Sequence, residues 1–292
     1  MYELIKLNEN DYYIDCPSKI GIVRLDSNGV MLIDSGSDKD TAKKVYRVLE
    51  ENAWQLRFII NTHSHADHIG GNAFLQEKTN CEIYANNLEC AFTQNPILEP
   101  MGLYGGLPFK ELKGKFLVAK ESRVLPLCNL KLPDGMSVLN LKGHCFDMVG
   151  LLTKDGTAYI GDSVSSKETL SKYGIGYLYN VNETLDTLKF LKGVQAKRFV
   201  PSHAPVSDDI TSLADYNIEA VNKVKENILS LCATPVTFEE LLKKVFDTYN
   251  TTVNAVQYAL IGSTVRSYLS CLLEENKVSY VFCENRMLWQ AI

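Results

Sequence analysis

Residues 62–71 read Thr-His-Ser-His-Ala-Asp-His-Ile-Gly-Gly and pack three of the chain's five histidines and an aspartate into six positions. Neutral imidazoles and a carboxylate are the mixed nitrogen and oxygen donors that zinc or a similar divalent cation accepts, and a catalytic site leaves one coordination position open for water. A merely polar, histidine-rich loop is the plainer alternative. Against it, the other two histidines also stand in motif-like surroundings, Gly143-His144-Cys145 and Pro201-Ser202-His203. Each histidine follows a predicted strand, as do Asp34, Asp67 and Asp162. Strand ends converging on one sheet edge can assemble a metal site from distant sequence.

The elements that would position these groups are readable from spacing. Apolar stretches at Tyr12–Cys16, Ile20–Leu25 and Val30–Ile33, with Ser27-Asn28-Gly29 as a turn, predict an antiparallel meander ending at Asp34. Ala42, Val45, Tyr46, Leu49 and Ala53 repeat at helical spacing, and a strand at Phe58–Asn61 delivers the histidine run. Gly70-Gly71 permits close backbone approach before a helix through Phe74 and Leu75. Residues 86–126, rich in proline and glycine, predict a partly structured insertion of the kind that forms lids or binding loops. Its Lys110, Lys113, Lys115, Lys120 and Arg123 read first as a solvated face and second as contacts for an anionic substrate. Strands follow at 137–141, 149–153, 158–160 and 199–200, with helices around Glu183–Lys192 and Leu213–Leu231.

Ala233-Thr234-Pro235 marks a boundary between residues 1–232 and 233–292. Beyond it, a helix through Phe238–Phe246, a short one from Val253, a third through Val265–Leu273 and a terminal hairpin around Glu284-Asn285 predict a small winged-helix-like domain. Its acidic residues offset its basic ones, which favours packing, substrate covering or dimerisation over DNA binding.

The net charge of −5, from 30 basic and 35 acidic residues, gives no global attraction to nucleic acid or anionic membranes. Neither a secretory signal nor an apolar run of bilayer length is evident, so a cytoplasmic location is expected. Eight scattered cysteines without a Cys-x-x-Cys pair indicate neither a disulfide framework nor a structural zinc site.

Asp34 in Leu-Ile-Asp-Ser-Gly, the Thr-His-Ser-His-Ala-Asp-His run, His144, Asp162 in Gly-Asp-Ser and His203 in Pro-Ser-His together resemble the five ordered motifs of the metallo-β-lactamase-fold hydrolases, above all the glyoxalase II-like and endoribonuclease-like branches. The resemblance spans roughly residues 20 to 205. It implies an α+β fold, an αββα sandwich, here followed by the winged-helix-like tail. It implies one metal on His63, His65 and His144, a second on Asp67, His68 and His203, and Asp162 bridging them. Zinc would be the metal, with manganese or iron as alternatives. Asp34 would hold the ligand loops in place, and Asp67 would also orient the nucleophile. Ordinary turn capping is the competing role for Asp34.

Two cations sharing a carboxylate would generate hydroxide at neutral pH. The expected reaction is hydrolysis of a small thioester, ester or lactone. The alternatives are a metal-dependent endoribonuclease, an iron enzyme of persulfide or oxygen chemistry, and a winged-helix regulator without catalysis. Two departures stand out. Cys145-Phe146-Asp147-Met148 follow His144 where the family carries a small polar residue, proline and glycine, which leaves Cys145 as a metal neighbour or a buried thiol. Tyr173, Tyr177 and Tyr179 lie where related enzymes contact substrate, and offer donors to an oxyanion or plain aromatic packing. The expected partner is a small molecule, with a homodimer as the default assembly.

Overall fold

The structure is a computed structural model describing residues 2–292. It opens with an antiparallel meander, β1 (Glu3–Lys6), β2 (Asp11–Asp15), β3 (Ile20–Arg24) and β4 (Gly29–Ile33). Helix α1 (Lys39–Glu51) crosses over to β5 (Gln55–Ile60), which lies parallel to β4. After α2 (Ala66–Ile69) and α3 (Asn72–Thr79) come β6 (Glu82–Ala85), α4 (Asn87–Gln94), α5 (Leu98–Tyr104) and β7 (Leu125–Pro126). Strands β1 to β7 form one sheet in sequence order. A second sheet, ordered β11-β10-β9-β8, contains β8 (Ser137–Asn140), β9 (Val149–Leu152) and β10 (Thr157–Gly161). It is completed, beyond α6 (Lys167–Tyr173) and α7 (Val181–Leu191), by β11 (Arg198–Pro201), parallel to β10.

Alternation along the strands builds the layers. In β4, Val30 and Leu32 pack with Ala42, Val45 and Leu49 of α1 and Leu75 of α3, while Met31 and Ile33 turn to the opposite face. There they meet Val149, Leu151, Tyr159 and Val200 of the second sheet. In β10 the neighbours of Tyr159, Ala158 and Ile160, face away towards Leu188 and Leu191 of α7. Helix, sheet, sheet and helix therefore stack in that order, as the αββα expectation has it. Asp38 starts α1 by accepting the amides of Asp40 and Thr41 at 3.1 and 2.9 Å.

The tail continues from α8 (Thr211–Leu231) through β12 (Val236–Thr237), α9 (Phe238–Tyr249), α10 (Ala255–Glu274), β13 (Val278–Cys283) and β14 (Arg286–Ala291). Thr237 and Glu240 form a reciprocal capping box at the start of α9. The short helix expected from Val253 and the third expected through Val265–Leu273 are one continuous helix, α10. Gly262, which suits a helix break, is instead buried in it beside Leu242 and Phe238 of α9. Val221, Val224 and Ile228 of α8 share a core with Leu241, Val245, Ile261, Val265 and Tyr268. The insertion is more ordered than expected: α5 and the segment after it bury Leu103, Leu112 and Leu117 against Ala259 of α10. Among the described residues no helix is long and apolar enough to cross a membrane.

Candidate metal centre

All five histidines meet at the carboxyl ends of the strands. Three donor groups have ligand atoms within 4.8 Å of one another: His63, His65 and His144; His63, His68 and Asp162; and Asp67, His68 and His203. His65 Nδ1 lies 3.1 Å from His63 Nε2 and 3.0 Å from His144 Nε2. Asp162 reaches both sides, with Oδ1 at 3.3 Å from His68 Nε2 and Oδ2 at 3.5 Å from His144 Nε2 and 3.3 Å from His203 Nε2.

Buried neighbours fix which ring nitrogen faces inward. Asp34 accepts the Thr62 amide at 2.7 Å, the Thr62 hydroxyl at 2.8 Å and His68 Nδ1 at 2.8 Å. Because that hydroxyl is spent as a donor, its oxygen accepts from His63 Nδ1 at 2.9 Å. In the neutral ring, as a cation would require it, Nε2 of both His63 and His68 is left as the lone pair. His203 Nδ1 donates to the Pro17 carbonyl at 2.8 Å, with the same result. Asp34 is only 2% exposed, sits at φ +64° and joins the Thr62 loop to His68 through its carboxylate.

Two glycines set the loop geometry. A Cβ on Gly70 would collide with the Ser37 carbonyl, which is the close approach expected of Gly70-Gly71. Gly143 has φ +119° and would drive a Cβ into Thr184; its carbonyl accepts the Tyr179 and Asn180 amides and anchors the loop that carries His144.

Electrostatics divides the centre. Burial holds His63 well below the ordinary imidazole range, with His68 and His65 adding like-charge repulsion, and burial with His65 pushes His144 down to about 3. Burial opposes a charge on His68 too, but Asp162, Asp67 and Asp34 hold it well above its usual range. Asp162 is the largest influence on His203 and lifts it to about 10. Burial disfavours ionised Asp67 and Asp162, yet His68 and His203 keep both below the usual carboxylate range.

The residues present fit divalent cations. Around His65 Nδ1, neutral imidazole nitrogens converge at about the length of a hydrogen bond, and His63 has no proton to place between them. Asp162 Oδ1 is buried and accepts no well-formed hydrogen bond, an orphan that a cation would satisfy.

Sequence reasoning missed three groups. Glu89 of α4, fully buried, accepts the Ser64 amide at 2.9 Å, the Asp147 amide at 2.8 Å and the Cys145 thiol at 3.5 Å, and so ties the His63–His65 loop to the His144 loop. Glu99 of α5, also buried, lies 3.5 Å from His65 Nε2, and burial raises its carboxyl. Ser18 Oγ lies 2.9 Å from Asp67 Oδ2 and 3.2 Å from Nε2 of both His68 and His203. The only signal for the two glutamates was an acidic residue inside an otherwise apolar stretch.

Cys145 is a buried thiol kept protonated by burial and by Glu89. Of the three tyrosines, Tyr177 packs its ring edge-on against His65 and His144 at 5.3 and 5.6 Å. Tyr173 lines the same cleft, whereas Tyr179 stacks on Phe146 at 4.3 Å and lies outside that lining.

The family model "Metallo-beta-lactamase superfamily" matches residues 13–203. Hydroxyacylglutathione hydrolase 1 of Vibrio vulnificus is 27% identical over 232 residues, covering 70% of this chain and 83% of that one. Among solved structures, a beta-lactamase domain protein from Burkholderia ambifaria superposes with TM-score 0.75 at 14% identity, over 99% of this chain and 94% of that one. A metallo-beta-lactamase family protein from Thermus thermophilus gives 0.74 at 17% identity, over 99% and 97%. These two share the fold along the whole chain, tail included. The chain belongs to the metallo-beta-lactamase superfamily and is one of its metal-dependent hydrolases.

Proposed function

We propose that the chain is a dinuclear hydrolase of a small thioester, ester or lactone. The observation that carries this reading is Asp162, one carboxylate within 3.5 Å of His144 on one side and 3.3 Å of His68 and His203 on the other. In this reading His63, His65 and His144 hold one cation, Asp67, His68 and His203 hold a second, and Asp162 is shared. The donor set suits zinc first and manganese or iron next. When bound, the cations lower the pKa of a water from about 15.7 towards 7 and polarise the oxygen of the scissile group.

The chain's own residues supply orientation. Asp34 and Thr62 hold the Nε2 lone pairs of His68 and His63 inward, and Glu99 steadies His65 from behind. Asp67, 40% exposed, is the carboxylate open to accept a hydrogen bond from the attacking water. Tyr177 stays protonated, because burial and then Glu99 raise its phenol, and it offers a donor beside the developing oxyanion.

The Vibrio relative is by name a hydrolase of a hydroxyacylglutathione, a thioester, which supports that substrate class over RNA. The basic side chains of the insertion are exposed, Lys115 pairs with Asp38 at 3.3 Å, and none of the five lines the cleft at the centre, which favours a solvated face over a grip on RNA. Residues 233–292, in the order strand, two helices and hairpin, read as a winged-helix-like module that covers the catalytic part rather than one that grips nucleic acid. Acyl-thioesters, lactones and single-stranded RNA assayed side by side test the reading. Thioester or lactone turnover that falls at least about 100-fold in Asp162→Ala supports it. Cleavage of RNA alone overturns it.

A further inference from the structure

A cleft of about 540 Å³ runs from the metal centre to the tail. Asp67, His144, Asp162 and His203 line one end. The other end is walled by Val221 and Val224 of α8 and by Leu260, Ile261 and Tyr268 of α10. Its volume falls within the roughly 300–1,000 Å³ of small-molecule sites.

Several polar groups along this wall are already committed to the protein. The Thr184 hydroxyl donates to the Asn180 carbonyl at 2.8 Å and the Thr187 hydroxyl to the Lys142 carbonyl at 2.7 Å. The Ser163 hydroxyl donates to the Ile160 carbonyl at 2.7 Å, and the Lys142 ammonium pairs with Asp147 at 3.0 Å. Asn217 accepts the Ser165 amide at 2.9 Å and donates to the Ser165 and Leu213 carbonyls at 3.0 and 2.8 Å. The Ser165, Thr251, Tyr177 and Tyr268 hydroxyls and the Gln257 amide have no protein partner among the described residues. A charged substrate group would exchange its water here for a few neutral hydroxyls and an amide, whereas an apolar chain would rest against Val221, Val224, Leu260 and Ile261 at no such cost.

Resting on the hydrolase reading above, we propose that this cleft takes an unbranched apolar acyl group, so that the substrates are medium-chain acyl thioesters or esters and α10 is the wall that measures the chain. At about 30 Å³ per water-sized group, a chain of on the order of eight carbons fills close to half the space and leaves the remainder for the reacting group and water.

Two series on the purified protein test this. In calorimetric titrations, primary alkanols of increasing length should bind with Kd falling about fourfold per methylene until the cleft is filled, and with a negative heat-capacity change. Thioester kcat/KM should rise with acyl length in parallel. Leu260→Trp should shorten the length at which both series level off. Ile261→Ala should lengthen it, which keeps the test open if the larger side chain prevents folding. Length-independent alkanol binding, or profiles unchanged in both variants, overturns the acyl cleft. Hydrolysis with flat chain-length dependence also overturns it and leaves the hydrolase reading intact. Length-dependent alkanol binding with no turnover of any thioester or ester overturns the hydrolase reading, and with it the assignment of the occupant as substrate.

Discussion

Replacing Asp34 by asparagine isolates one atom of the scheme. Asp34 sits at φ +64°, a conformation asparagine adopts as readily, so the backbone is left alone. Its two oxygens accept three hydrogen bonds, from the Thr62 amide, the Thr62 hydroxyl and His68 Nδ1. An amide nitrogen at Oδ1 would face the Thr62 N–H, donor against donor. The opposite rotamer keeps that bond and points the nitrogen at Thr62 Oγ1, which can turn to accept, and at His68 Nδ1, which accepts only if its proton moves to Nε2. That tautomer removes the lone pair aimed at the second cation. Each hydrogen bond to a buried carboxylate contributes about 1.5–3 kcal/mol, so losing one or two costs about 1.5–6 kcal/mol of stability. Affinity for the cation held by His68 should fall about 10- to 100-fold. Competition with a chromophoric chelator reads the affinity, and nitrogen NMR of the imidazole reads the tautomer. An unchanged tautomer with affinity within about threefold of the parent would refute the reasoning.

Glu89→Gln should cost about 2–4 kcal/mol in urea unfolding, because the new amide faces either the Ser64 or the Asp147 N–H; a loss below about 0.5 kcal/mol would deny that Glu89 ties the two ligand loops. The metal-free protein should be most stable near pH 6.5, the ordinary imidazole value. Below it, His63 and His144, whose folded values are depressed, take up protons only on unfolding. Above it, the raised His68 and His203 lose protons on unfolding, so that contribution fades as pH climbs towards about 10. Urea midpoints between pH 4 and 9 check this, and a monotonic rise to pH 9 would contradict it.

Much of the site was legible because its residues are rare types at strand ends. His63, His65, His68, His144 and His203 are every histidine in the chain, and each follows a run whose alternation marks a strand. Glu89, Glu99 and Ser18 were not legible. Glutamate is ordinarily a surface residue, and only the folding of α4 and α5 under the ligand loops buries these two. The same segment looked loose because its helices are of eight and seven residues, broken by Pro96 and Gly105, and their order comes from packing on α10 rather than from local propensity. Strand β1 was missed because it is a four-residue edge strand with little burial to imprint a pattern. The merger of the two tail helices into α10 reflects the same limit, since burial of the Gly262 turn against α9 holds the helix through it, which no local pattern reports.

Metal stoichiometry is the most direct measure of a dinuclear centre. After equilibrium dialysis against zinc, elemental analysis should give two ions per chain for the parent protein and one for His203→Ala, which keeps His63, His65 and His144 intact. A parent protein that binds no zinc or one ion, or a His203→Ala variant that still binds two, would contradict it.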